Sequence, residues 1–317
     1  MRLMRNTRLL LPALPVLFAL ALTGCEEEET AIIEPGTCWV YSSNSDRLTL
    51  VDDNGELDVV VTNPGAAAAL AADTNDGTVW LVDTANRRLL KYSPEGVLLR
   101  LISGFAGPLD VAVNPDTRDV YLLDAGAGSL TAFDKDGEEL WNLDAPYQPV
   151  EVVISGAADA RRLIILGPDE LRCVDAELGQ QLWSLDIERD LDYRIDAAVE
   201  AESFWLCDGD TLERRSLSDG SVQYTHEAAQ SPLRVGVNNL GCWFYDTADG
   251  DLYLIDDTGA ELAEIEDPPG VPELGGTGDK LWLIVESDDL VALYNENGDE
   301  VVRTTAVVGP AVLGPVR

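Results

Sequence analysis

The chain has 317 residues, 46% of them hydrophobic, with 58 Asp and Glu against 21 Lys and Arg and a formal charge of −37 at pH 7. That length and apolar content suffice for a large buried core, while the charge excludes nucleic acid and anionic headgroups as high-affinity surfaces. A single histidine and the lack of any Gly-x-x-x-x-Gly-Lys run exclude a His-rich metal centre and a P-type phosphate loop.

The first 24 residues read as a leader. Arg2, Arg5 and Arg8 form a basic start, and Leu9–Leu22 is an apolar run too short and too Pro-broken for a membrane span. The run ends in Leu22-Thr23-Gly24-Cys25, which resembles the bacterial lipoprotein box. The resemblance implies cleavage before Cys25, lipidation of that thiol and a formal charge near −40 for the mature chain, which loses the three arginines. Residues 25–36, with Glu26–Glu29, then form a solvated acidic tether. Glu rather than Asp after the cysteine resembles lipoproteins passed to the outer membrane.

From residue 37 to 317 one pattern repeats. Turn glycines stand at Gly55, Gly96, Gly137, Gly179, Gly220, Gly259 and Gly298, spaced by 39 to 42 residues. Fifteen or sixteen residues before each lies a large apolar residue: Trp39, Trp80, Tyr121, Ile164, Trp205, Trp243 and Trp282. Between these markers apolar residues alternate with a period of two, and Asn, Asp, Pro and Gly interrupt every few positions. A period near 40 with several short strands per repeat predicts an all-β, seven-bladed β-propeller. Cys38-Trp39-Val40-Tyr41 already reads as a second strand, with no inner strand before it. Gly309-Pro310-Ala311-Val312-Leu313 matches Gly107-Pro108-Leu109-Asp110-Val111 in type, so the C-terminal strand is expected to close the first blade and leave no open end.

VWLVDTANRRLLKYSPEG and VYLLDAGAGSLTAFDKDG, in blades two and three, resemble NHL-type repeats. DKDGEELW and DAELGQQLW, ending at Trp141 and Trp183, resemble pyrroloquinoline-quinone-type propeller repeats. Calcium-dependent lactonases are propellers too, but of six blades built differently, so no residue carries over from them.

Candidate site residues fall on one mouth of such a ring. Asp83, Asp124, Asp208 and Asp246 each follow the strand aromatic by three residues, where the second strand turns into the third. Carboxylates there would either surround a Ca²⁺ with carbonyls and water or accept backbone N–H groups of their own turns. Connections between blades supply Phe105, Tyr147, Tyr193 and Arg194, the residue types that anchor protein interfaces; plugging the channel or packing between blades are their other roles. His226 has no nucleophile motif near it and is expected on a surface loop. Cys38, Cys173, Cys207 and Cys242 are expected as free buried thiols, although Cys173 and Cys207 lie in adjacent blades, where a pair could meet.

The expectation is a lipid-anchored propeller of the cell envelope, outer-membrane bound by its sorting residue, that binds a protein or peptide and performs no catalysis. A metal-assisted hydrolase or lactonase, a quinone-dependent enzyme, and a carbohydrate binder using exposed Trp are the alternatives.

Overall fold

The computed structural model describes residues 36–187, 194–198, 200–207, 211–226 and 232–315. Their strands form seven antiparallel sheets of four. Blade 2 runs through Ala67–Ala72, Val79–Asp83, Arg88–Tyr92 and Leu98–Ser103, from inner to outer strand, and the order repeats through blade 7, which ends at Glu300–Thr304. Blade 1 contributes Cys38–Ser42, Arg47–Val51 and Leu57–Thr62 and takes Pro310–Pro315 as its inner strand, with Trp39 opposite Gly314 and Val40 opposite Leu313. The ring therefore closes between the two ends of the domain, as the strand count requires.

The turn glycines make this repetition possible. All seven have φ between +64° and +82°, the left-handed region where a Cβ is strained. Each hairpin between third and outer strand also carries a register shift of the bulge type, for instance between Lys91 and Tyr92. A side chain at the start of the turn locks it from within. Asp134 Oδ1 accepts the N–H of Asp136 and Glu138, and Asp52, Asp256 and Asn295 do the same at their own turns. Blade 7 departs from the pattern at its other turn, where Glu286–Asp288 forms a single 3₁₀ turn in place of the Asp-led one.

The strand aromatics are buried, Trp39, Trp80, Trp243 and Trp282 completely. Room for them comes from the inner strand, where small residues face most of them: Gly314, Ala71, Ala112, Gly236 and Gly275. No blade has a core of its own. Each of the seven hydrophobic clusters straddles one seam between neighbouring blades. One joins Trp39 and Leu48 of blade 1 to Leu81 and Leu90 of blade 2, and another joins Val40 and Val51 of blade 1 to Trp282 and Leu293 of blade 7.

Candidate functional site

The seven inner strands converge on a central cavity of about 220 Å³ whose wall mixes Leu70, Val111 and Leu274 with the carboxylates of Asp110, Glu151 and Asp196. Three seams are closed by interlocking side chains. A Cβ at Gly236, Gly275 or Gly314 would collide with Leu274, Leu313 or Leu70 of the next blade. Three others are closed by carboxylates that reach across to a backbone N–H of the next inner strand. Asp110 accepts Val152 N–H at 2.8 Å, Glu151 accepts Ile195 N–H at 3.0 Å, and Asp196 accepts Val237 N–H at 2.7 Å. These bonds replace the ladder that inner strands of different blades lack, so the carboxylates are structural ties as well as charges in the cavity.

Strand register places one ring of residues near the loop-side mouth, each paired two positions beyond the strand aromatic. Asp110 faces Leu123, Glu151 faces Leu166, Arg194 faces Cys207, Arg234 faces Tyr245 and Glu273 faces Ile284. Arg234 and Glu273 pair at 2.8 Å. Burial pushes Asp110 up to about 6 against the pull of its two backbone donors. Burial, and then the charge of Asp110, pushes Glu151 up to about 8, with Arg194 opposing the rise. Two carboxylates thus share one wall of the cavity, and at neutral pH the one at Glu151 is held mainly as the neutral acid. The ring escapes a reading of the sequence because turns of different length separate its members from the aromatics. Asp110 precedes Tyr121 by 11 residues, whereas Glu273 precedes Trp282 by 9.

The turn carboxylates occupy the same face and bind their own blades. Asp124 accepts N–H groups of Ala106 and Gly107, each at 2.7 Å, and of Ala127 at 2.9 Å, so it ties the incoming connection to the turn. Asp83 is fully buried; burial alone would raise it, but Arg88 and the Asn86 amide outweigh that and hold it below the usual carboxylate range. Asp246 accepts Ala248 N–H at 2.9 Å. Asp208 lies outside the described residues. Among the described residues no group of three His, Cys, Asp or Glu is placed to hold a metal ion, so Asp83, Asp124 and Asp246 are not brought together.

The loop candidates separate. Tyr147 is 77% exposed beside exposed Val150. Phe105 packs edge-on against Phe133 at 6.1 Å, inside the seam between blades 2 and 3. Arg194 begins the inner strand of blade 5 and so belongs to the mouth ring. Tyr193 and Cys25 lie outside the described residues.

The family of these repeats is decided by their sequence. The model of the family described as outer membrane protein assembly factor BamB matches residues 58–198 and 126–266. The chain belongs to this BamB-type family. Solved structures share the fold at low identity. BamB from Moraxella catarrhalis is 14% identical with a TM-score of 0.58, over 87% of this chain and 85% of that one. A functionally unknown protein from Desulfotomaculum acetoxidans is 11% identical with a TM-score of 0.69, over 88% and 98%. Virginiamycin B lyase from Staphylococcus aureus is 13% identical with a TM-score of 0.62, over 80% and 89%. No curated protein matches the sequence.

The remaining candidate residues of this BamB-type propeller are packed between its strands. Trp141 and Trp183, which end the PQQ-like segments, pack into the seams against Tyr121 and Phe204. All seven Trp are buried or half-buried, which removes the exposed stacking platform that the carbohydrate reading required. His226 is not on a surface loop. It ends the outer strand of blade 5, half-buried, with Nδ1 3.1 Å from Tyr224 Oη and its ring 5.4 Å from that of Phe244 in blade 6. Burial lowers its pKa. Cys38, Cys173, Cys207 and Cys242 are free and buried, and burial raises the thiols of Cys38, Cys173 and Cys242. Buried thiols held protonated are inert.

Proposed function

We propose that the protein is a lipid-anchored scaffold of the cell envelope which docks a protein or peptide partner on the loop-side mouth of the propeller and performs no catalysis of its own. The observation that carries this reading is the BamB-type family match over residues 58–266, whose description concerns assembly of outer membrane proteins. It is supported by Tyr147, an exposed aromatic on a rigid rim, on the same face as a ring in which Arg194 and Arg234 stand side by side between Glu151 and Glu273. Loops fixed by a rigid scaffold are where recognition residues concentrate, and a Tyr among polar neighbours is an interface anchor.

The test is a photo-crosslinking amino acid placed at position 147, and separately at Leu240 on the opposite face, in the native envelope. A discrete adduct from position 147, lost when Arg234 is changed to Glu, is expected. Equal labelling from both positions, or none from position 147, would overturn the loop-face reading. Incorporation of labelled fatty acid that persists in Cys25→Ala would overturn the anchor.

A further inference from the structure

The outer strand of blade 2, Leu98–Ser103, pairs with Arg88–Tyr92 on one side and has no strand on the other. Every blade has such an open edge, and an open edge is a template for another chain unless charge, Pro or irregularity blunts it. Five of the other outer strands carry acids: Asp58 in blade 1, Glu139 and Asp144 in blade 3, Asp186 in blade 4, Glu261 and Glu264 in blade 6, and Glu300 in blade 7. Blade 5 carries Gln223, Thr225 and His226. Blade 2 carries no carboxylate there: its only charge is Arg100, it contains no Pro, and apart from the bulge shared by every blade its pairing is regular from Arg100 to Ser103.

The exposed side chains there are large and apolar. Val97, Leu98, Leu99 and Leu101 are 57, 47, 52 and 45% exposed, whereas the other outer strands expose one large apolar residue each at most. Arg100 and Ile102 lie against Gly137 of blade 3, and Arg100 pairs with Glu138 at 2.7 Å. By alternation Leu99 and Leu101 point to the opposite face, so an added strand would meet apolar side chains on both of its faces. In a chain of charge −37 this run of exposed apolar residues without a carboxylate is a local exception, and contiguous apolar exposure marks interaction sites.

We infer that the outer edge of blade 2 is a strand-docking surface, which takes an extended apolar segment of a partner polypeptide as a fifth strand. Only an extended backbone can pair with a row of alternating N–H and C=O groups; a helix or a folded surface would leave the row unmatched. Charge selects the ends of that segment. Glu95 stands before the strand and Glu138 beside it, within a strongly acidic molecule, so basic flanks are favoured over acidic ones. This surface lies on the rim and is separate from the mouth that carries Tyr147.

The probe is the fluorescent peptide KKVTVTVKK, titrated against the detergent-solubilised full-length chain in about 1 M NaCl, where the Debye length is ~3 Å and general attraction to the acidic surface is screened. The expected result is saturable binding with slowed amide exchange confined to residues 98–103. Affinity should fall about tenfold or more in the Leu99→Lys, Leu101→Lys double variant, whose exposed positions leave the melting temperature unchanged. A peptide N-methylated at alternate residues should not bind, because its edge cannot donate. Tyr147→Ala should bind like the parent, which separates this surface from the loop face. No binding, equal binding of the N-methylated peptide, or protection mapping away from residues 98–103 would each overturn the inference.

Discussion

Replacing Glu151 by Gln should stabilise the ring in mild alkali and change little in acid. The Glu151 carboxyl sits on the cavity wall, accepts the N–H of Ile195 and feels Asp110 and Asp196 as like charges, with the cation of Arg194 opposing them. Burial, then Asp110, raises it from 4.5 to about 8 in the fold. The unfolded chain keeps the ordinary value, so the fold binds the extra proton between those limits. The stability this provides is complete below about 4.5 and is lost as pH rises through about 8. At ~1.4 kcal/mol per pH unit that interval sets a ceiling near ~5 kcal/mol. Water in the open cavity screens part of it, leaving about 2 kcal/mol. Gln keeps an oxygen for Ile195 N–H and carries no charge. Melting followed by near-ultraviolet circular dichroism should therefore show the variant above the parent by about 4–8 °C at pH 8.5, at ~2–4 °C per kcal/mol for a domain of this size. The two should converge near pH 4.5. Parallel curves for parent and variant across the whole range would refute the reasoning, since they would mean that Glu151 titrates alike in both states.

Asp124→Ala removes one acceptor from three N–H groups and should cost about 3 kcal/mol, read as a fall in urea midpoint; a loss under ~0.5 kcal/mol would show that water replaces the carboxylate. Deleting residues 309–317 strips the inner strand of blade 1 and uncovers both its seams, where Val312 and Leu313 pack. Aggregation or rapid proteolysis is expected, and a truncated chain that melts like the parent would show that closure does not need this strand. With a formal charge of −37, melting temperature should rise from dilute buffer to molar NaCl, because screening relieves self-repulsion. A flat profile would remove the electrostatic contribution.

The architecture was legible because its two markers are chemical necessities. A Gly at positive φ recurs at every blade and a large apolar residue opposite a small one at most of them, and strand closure follows from counting. The acceptor that locks the outer hairpin was readable in five of the seven blades, as Asp52, Ser93, Asp134, Asp256 and Asn295 each stand three residues before a turn glycine. Seam chemistry was not. Whether Phe105 faces solvent or Phe133, and whether Glu151 meets water or Ile195, depends on which blade lies alongside, and that relation joins residues of different repeats with no local pattern. His226 misled for the same reason: alone it reads as polar, and only the neighbouring blade supplies Phe244.

Because each hydrophobic cluster straddles a seam, a blade emerging during synthesis has half of each of its two cores missing. Blades 2 to 6 gain the second half as the next repeat appears, so structure can grow in step with the chain. Blade 1 cannot, since Trp39 waits for Gly314, some 275 residues later. Contacts of such sequence separation form slowly, and until they form Cys38–Ser42 presents an unpaired apolar edge. The first blade to be made is therefore the last to be finished, and the cell must shield it for as long as the rest of the chain takes to arrive.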